Sequence, residues 1–562
     1  MKTPEEIRKR IIEVVGKTGG HLASSLGAVE IAVALAKVFE PEKDRIVWDV
    51  GHQAYAWKIL TGRDGAFDTL RQFGGISGFP NPRESKADAA VAGHAGMAMS
   101  VALGLAAAHS APNVVAVVGD SSMANGVSFE ALNNCAAAKC KIIVVLNDNE
   151  MSISKPIGSF AKFLGRLITG VRYNRIKKAA ESAGHGLKLT FLRGVYHEIE
   201  SRIKGLFLAN RFFEQFGLRY IGPVDGHDLA ALEDAFTVAK EDKRSVIVHV
   251  VTKKGKGYRP AEVEPTKFHG IGAFASEHKT NLKSWSDVFG EAVCELARKD
   301  SRICALTAAM KDGTGLKGFA NEFPSRFFDV GIAEEHLMGF AAGLAAGGMR
   351  PVVAIYSTFL QRAVDQVMHD LAISNLPVII GIDRAGVVGA DGVTHQGVFD
   401  LAMLKAIPHV IIAQPKDAED LRRLLEEALE RGGVTAIRYP RGICPDKVEP
   451  LAGGHDAKIA IWATGDWLGK ANEVAARIGA EVVHARYLKP FDAATLARQR
   501  DAGMKIVSLE NAAVAGGLGE TIGADLKFGW PDEFVPHGKV RELERSFGLD
   551  ADSICERIAQ NG

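Results

Sequence analysis

Short, unbroken apolar runs recur along this chain, each followed by a stretch of helical character. Residues 114–118 read VVAVV, 142–146 read IIVVL and 245–251 read SVIVHVV. A strand with one face in water alternates apolar and polar residues, so a run without alternation has to be buried on both faces. Such strands, separated by helices, build parallel sheets with helices on either side. The pattern returns at 327–332, 352–356, 378–382 and 435–439, and again at 458–463, 481–485 and 505–509. The expected fold class is α/β, in three domains of mainly parallel sheet covered by helices. Residues 259–283 are rich in Pro, Gly and charge and read as a linker, and 444–455 read as a second break. The expected domains are 1–258, 284–445 and 446–562. Residues at about 155–215 are basic, lack a sheet pattern and read as a helical insertion in the first domain.

Charge and cysteine usage narrow the partners. Lys and Arg number 68 against 67 Asp and Glu, a formal net charge of +1. No global field therefore points to nucleic acid or an anionic membrane. No apolar stretch reaches the ~18 residues of a membrane span. The 6 cysteines form no C-x-x-C pair, which argues against a zinc cluster or a disulfide framework. The opening MKTPEEIRKR has no apolar leader. The expectation is a cytoplasmic protein without nucleic-acid or membrane partners.

Two polar motifs follow the first two runs. Gly119-Asp120 comes after 114–118, and Asn147-Asp148-Asn149 after 142–146, separated by one helix and one strand. A β-α-β crossover puts both strand ends on the same sheet edge, so Asp120 and Asn149 converge. A carboxylate with an amide oxygen makes a hard site suited to magnesium, which takes few protein ligands and shares substrate phosphates. Taken singly, each motif is ordinary turn chemistry. Together they resemble the diphosphate motif of thiamin-diphosphate enzymes, G-D-G followed by N-D-N. That resemblance implies Mg2+ held by Asp120, Asn149 and the backbone carbonyl of Met151. Ser121 stands where that motif has Gly, a residue that allows close backbone approach to phosphate.

Thiamin chemistry also requires a carboxyl group sharing a proton with the aminopyrimidine ring. Burial among apolar side chains keeps such a carboxyl neutral. Glu334 opens an apolar helix, and its surroundings FDVGIAEEH (328–336) are similar to the segment around the catalytic Glu of these enzymes.

A wider resemblance covers essentially the whole chain. The segments GGHLASSLGAVE (19–30), WDVGHQAY (48–55), YIGPVDGHD (220–228), TKKGKGY (252–258), IYSTFLQRAVDQ (355–366), DRAGVVGADGVTHQG (383–397) and RYPRG (438–442) resemble the 1-deoxy-D-xylulose-5-phosphate synthases. The resemblance implies a transketolase-like homodimer, with two thiamin-diphosphate-binding folds and a C-terminal transketolase-type domain. It implies thiamin diphosphate and Mg2+ as cofactors, and pyruvate and D-glyceraldehyde 3-phosphate as substrates. The products are 1-deoxy-D-xylulose 5-phosphate, a precursor of isoprenoids, thiamin and pyridoxal phosphate, and CO2. Implied cofactor contacts are His52, Gly93, His94, Ala95, Ser121, Ser122, Tyr258 and Phe359. His21, His52, His269 and His395 are the implied proton-handling imidazoles. Tyr356, Arg384 and Arg441 are assigned to the aldehyde phosphate, with Arg362 and Asp391 beside them. Lys253 and Lys254 either add charge near the diphosphate or are solvated. Two other readings are a different transketolase-type enzyme, or a non-catalytic paralogue with a binding or regulatory role.

Overall fold

Alternate residues of the apolar runs enter different cores, as burial on both faces demands. In the computed structural model, Val115, Val117, Ile143 and Val145 pack in one core with the helix Val29–Val38. Their neighbours Ala116, Val118, Val144 and Leu146 pack in a second core with the helix Ala98–Ala107. The structure describes residues 2–149, 159–160, 163, 211–274, 282–454 and 457–561. The insertion expected at about 155–215 lies almost wholly outside the described residues, as does Met151.

The chain divides into two compact units: Met1–Arg71 with Gly75–His278, and Gln72–Gly74 with Lys279–Gly562. The first holds strands β1 (Arg45–Trp48), β2 (Val114–Gly119), β3 (Ile143–Asp148), β4 (Leu218–Asp225) and β5 (Ser245–Val251), in the order β1-β2-β3-β5-β4. All neighbours are parallel. The beginning of the expected linker is ordered on this unit instead. Ala261 in the helix Arg259–Val263 is buried, and Gly20 and Ile271 exchange two backbone hydrogen bonds of 2.9 and 3.0 Å.

The second unit holds β6 (Ile303–Thr307), β7 (Phe327–Asp329), β8 (Arg350–Tyr356), β9 (Ile379–Asp383), β10 (Ile411–Ala413) and β11 (Thr435–Arg438). The chain then starts another sheet with β12 (Ile459–Ala463) and β13 (Glu481–His484). It returns to the earlier sheet with β14 (Tyr487–Lys489), antiparallel to β10, and ends with β15 (Lys505–Ala513) and β16 (Leu526–Trp530). The two sheet orders are β14-β10-β11-β9-β8-β6-β7 and β13-β12-β15-β16. Trp462 and Ile506 of the smaller sheet share one core with Val353 and Ile380 of the larger, which makes them a single packed unit. The run at 327–332 is a strand only to Asp329, because Gly331 turns the chain at φ +75°. The Asp329 carboxylate accepts the Gly331 and Ala309 N–H groups there, at 3.1 and 2.8 Å.

Candidate active site

In the first unit, Gly119 at the end of β2 lies opposite Asn147 of β3. Asp120 therefore starts at the sheet edge where Asn147-Asp148-Asn149 leaves it. The three residues of that motif do different work. The Asn147 amide donates to Gln53 Oε1 at 2.7 Å and accepts the Thr252 hydroxyl at 2.6 Å. Asp148 pairs with His249 Nε2 at 3.0 Å, and His249 Nδ1 meets the Tyr220 hydroxyl at 2.8 Å. Those two side chains fasten strand to strand, and half-buried Asn149 is left at the edge.

Burial, and then the Asp148 carboxylate, push the Asp120 carboxyl up to about 7, against the pull of Lys254. A buried acid beside a second carboxylate is a site in want of a cation, so these residues fit a divalent metal. Of the two lysines, Lys254 is 7% exposed and Lys253 faces solvent on Glu262. Burial lowers Lys254 to about 8, opposed by Asp120. The turn that buries it is held from behind. The Lys253 N–H donates to His227 Nε2 at 2.9 Å, and His227 and Arg8 both bind Glu30, at 3.1 and 2.6 Å.

The loop of Gly93, His94 and Ala95 is clamped to the same sheet. The Gly96 and Ala98 N–H groups donate to Asp49, just past β1, at 2.9 and 3.0 Å. A Cβ on Gly96, at φ +86°, would stand 2.3 Å from Asn125 Oδ1. Ser121 lies in the helical turn Asp120–Met123, where no left-handed backbone is required. The position therefore does not need glycine for its conformation. The Ser121 hydroxyl is buried with no hydrogen-bond partner among the described residues, and Ser122 beside it is buried as well.

Three imidazoles expected from the sequence meet in this unit. The ring centroids of His52 and His269 are 5.3 Å apart, and His21 lies 6.0 and 5.9 Å from them. Burial drives His52 and His269 well below the ordinary histidine range; their neighbouring imidazoles and Lys254 push the same way. They are therefore neutral near pH 7. Tyr258 packs its ring on Phe268 and Phe274, with centroids at 5.8 and 6.5 Å.

In the second unit, Glu334 is the first residue of the helix Glu334–Ala346 and is 4% exposed. Its Oε2 has no hydrogen-bond partner among the described residues. Burial raises the carboxyl to about 7, against the positive charge of Arg362. Tyr356 ends β8 and stacks on Phe359 at 5.7 Å, and Phe359 meets the His395 ring edge-on at 5.7 Å. Arg384 follows β9 with φ +60°, a conformation that costs a non-glycine residue ~1–3 kcal/mol. That backbone lays the guanidinium 3.7 Å over the Tyr356 ring, where it donates to the Gly313 carbonyl at 2.9 Å. Exposed Arg441 stands 4.0 Å from Asp391. Burial pushes the Tyr356 hydroxyl up to about 12, and the charges of Arg384, Asp383, Arg441 and Asp391 all reach it. The phosphate-binding candidates thus gather at the C-terminal ends of adjacent strands, where open α/β sheets take ligands.

Residues the sequence did not single out complete both arrangements. Asp49, Asn125 and His249 fix the first, and Gln396 and Asn511 hold the loop that carries Arg384. Asp49, His249 and Gln396 lie inside stretches the sequence did mark, but no local spacing told these residues apart from their neighbours.

Known proteins resemble the chain along nearly its whole length. A family model described as 1-deoxy-D-xylulose-5-phosphate synthase matches residues 1–252. The transketolase pyrimidine-binding domain matches 282–447, and the transketolase C-terminal domain 454–554. The chain is 46% identical over 600 residues to "1-deoxy-D-xylulose-5-phosphate synthase 1" of Geobacter metallireducens, covering 98% of this chain and 95% of that protein. It is 45% identical over 588 residues to the 1-deoxy-D-xylulose-5-phosphate synthase of Desulforudis audaxviator, covering 98% and 92%. With near-complete coverage at this identity, the chain belongs to the 1-deoxy-D-xylulose-5-phosphate synthase family, whose members are thiamin-diphosphate-dependent enzymes of the transketolase type.

Proposed function

We propose that this chain decarboxylates pyruvate and joins the remaining two-carbon unit to D-glyceraldehyde 3-phosphate, giving 1-deoxy-D-xylulose 5-phosphate and CO2. The observation that carries the reading is Glu334, a buried carboxyl that keeps its proton to about pH 7 and whose Oε2 has no hydrogen-bond partner among the described residues. Thiamin diphosphate, when bound, would supply the electron sink for the bonding pair that CO2 leaves behind.

The protein's own groups do the rest in this reading. Glu334 shares its proton with the aminopyrimidine ring, beside Phe359. Asp120, Asn149 and the Met151 carbonyl hold Mg2+ on the diphosphate, with Lys254 adding charge. His52, Gly93, His94, Ala95, Ser121, Ser122 and Tyr258 line the cofactor. His21, His52, His269 and His395 move protons at the new carbon–carbon bond. Arg384, Arg441 and Tyr356 bind the aldehyde phosphate, with Arg362 and Asp391 alongside. The homodimer and the cytoplasmic location implied by the family resemblance belong to the same reading, and sedimentation of the purified protein checks the first.

The test is CO2 release from pyruvate with Mg2+ and thiamin diphosphate, with and without glyceraldehyde 3-phosphate. Release is expected to rise strongly with the aldehyde. Ketose-phosphate transfer without CO2 would favour a different transketolase-type enzyme, and no turnover at all the non-catalytic paralogue. Arg384→Ala is expected to raise KM for the aldehyde about tenfold or more, the effect of losing a charge-assisted hydrogen bond. KM for pyruvate should stay within about twofold by the same argument.

Ser121 gives a second check. If its buried hydroxyl donates to the diphosphate, Ser121→Ala and Ser121→Gly both weaken thiamin diphosphate binding, by about tenfold. Tryptophan fluorescence during titration of the cofactor reads this directly. Tighter binding by Ser121→Gly would mean that the hydroxyl crowds the phosphate instead.

A further inference from the structure

The loop bearing Arg384, Asp391 and His395 leaves β9 and closes on itself at Gly386 and Gly397, through hydrogen bonds of 2.6 and 2.8 Å. Beyond that closure the far part of the loop rests on the helical turn after β8, where the Thr394 carbonyl accepts the Thr358 hydroxyl at 2.8 Å, while its first residues turn to the smaller sheet. The Val387 N–H donates to Asn511 Oδ1 at 3.1 Å. The next two N–H groups, of Val388 and Gly389, donate to Gln396 Oε1 at 2.8 and 3.2 Å. Gln396 Nε2 in turn donates to the Pro536 carbonyl at 3.0 Å. Three consecutive loop amides are thus satisfied by two side-chain amides. One of these belongs to β15 of the smaller sheet, and the other is tied to the segment following β16.

The orientation of Asn511 is fixed from its far side. Its oxygen also accepts Trp530 Nε1 at 2.8 Å, and its nitrogen donates to Asp466 at 2.6 Å. A flipped amide would lose all three bonds. The approach leaves no slack: a Cβ on Gly386, at φ +89°, would stand 2.2 Å from Asn511 Nδ2, and one on Gly389 2.8 Å from the Gly538 carbonyl. Val387 and Val398 on either side of the loop pack into the core of the smaller sheet with Trp467 and Trp530. The same network reaches the second arginine. Asp466 accepts Gln414 Nε2 at 2.5 Å, and Gln414 accepts Arg438 Nη1 at 2.7 Å. Arg438 is fully buried on Asp400 and lies in the same RYPRG segment as Arg441.

We infer that Asn511 and Gln396 are positioning residues, through which the smaller C-terminal sheet sets the placement of the groups that bind the aldehyde phosphate. This rests on the assignment of Arg384 and Arg441 to that phosphate. Neither amide needs to touch substrate. Each fixes the backbone from which Arg384, Asp391 and His395 project, and a shift of about 1 Å there is enough to degrade recognition.

Asn511→Ala and Gln396→Ala, each in the full chain, test this. Both are expected to raise KM for glyceraldehyde 3-phosphate by about tenfold. KM for pyruvate and the affinity for thiamin diphosphate should stay within about twofold on the same argument. Amide hydrogen exchange at residues 387–389 should accelerate in both variants, with or without turnover. A purely structural role would lower activity and thermal stability while leaving the ratio of the two KM values unchanged, and that result overturns the inference. So does unchanged exchange at 387–389. If Asn511→Ala does not fold, Gln396→Ala and Asp466→Asn carry the same readouts from the two ends of the network. A wild-type protein without aldehyde-stimulated CO2 release would instead remove the functional reading, and the exchange measurement would still decide whether the joint exists.

Discussion

Glu334→Gln is expected to cut CO2 release from pyruvate by about 10³-fold, the scale of a lost general acid–base group, and to make the cofactor-free protein more stable at pH 8. Both effects have one cause. The ordinary value for this carboxyl is 4.5, and burial lifts it to about 7 in the folded chain. Below pH 4.5 the group is protonated whether the chain is folded or not, so it costs nothing. Between 4.5 and 7 the unfolded chain has released the proton while the folded chain keeps it, so stability falls as pH rises. Above 7 the folded chain carries a buried charge, and the accumulated penalty is about 3 kcal/mol. Gln has the same shape and never ionises. Urea midpoints of wild type and Glu334→Gln should therefore agree near pH 4 and separate at pH 8, with the variant higher. A variant equal to or below wild type at pH 8 would mean that Oε2 has stabilising contacts after all. A variant that kept its turnover would remove Glu334 from the chemistry altogether.

That a destabilising carboxyl sits at a helix start explains why part of this site was legible and part was not. Glu334 follows a recognisable apolar strand and opens an apolar helix, so its burial was readable from its neighbours. The same holds for Asp120, which follows β2 directly. Most strands rich in β-branched residues and buried on both faces announced themselves. Among those missed, β10 spans only Ile411–Ala413, and β4 lies at a sheet edge with Pro223 inside it, which sequence patterns demote. β6 is buried throughout and was missed too, because its sequence ICALT has Cys, Ala and Thr in place of a β-branched apolar run. Lys253 and Lys254 show a finer limit. They are adjacent and chemically identical, and only the packing of their turn on residues 23–27 decides which is buried. Asn511 lies beyond any local rule. Its bond to Val387 spans 124 residues, and on β15 it is one of three buried polar residues, with Ser508 and Glu510, and nothing local distinguishes it from them.

Asp120→Ala is expected to reduce magnesium-dependent binding of thiamin diphosphate by at least about 100-fold, since breaking a buried charge arrangement by removing one partner costs ~3–5 kcal/mol. The argument begins with what the neighbouring carboxylate does. Asp148 is engaged by His249, so it adds negative charge without turning toward a ligand. That charge and burial hold the Asp120 proton to about pH 7 in the cation-free protein. Magnesium has to displace this proton, so its affinity should fall by about tenfold per pH unit below 7. Asp120→Asn removes the proton and the pH dependence together. It also takes away the negative charge that opposes the lowering of Lys254, so more of that lysine becomes neutral at pH 8. Titration of EDTA-treated protein with Mg2+ and thiamin diphosphate, followed by fluorescence at pH 6, 7 and 8, resolves all three effects. Wild-type affinity that does not change between pH 6 and 8 would show that Asp120 is ionised before the metal arrives. In that case the negative charge around Asp120 is balanced by something other than a proton, and Lys254 is the cation whose charge reaches Asp120.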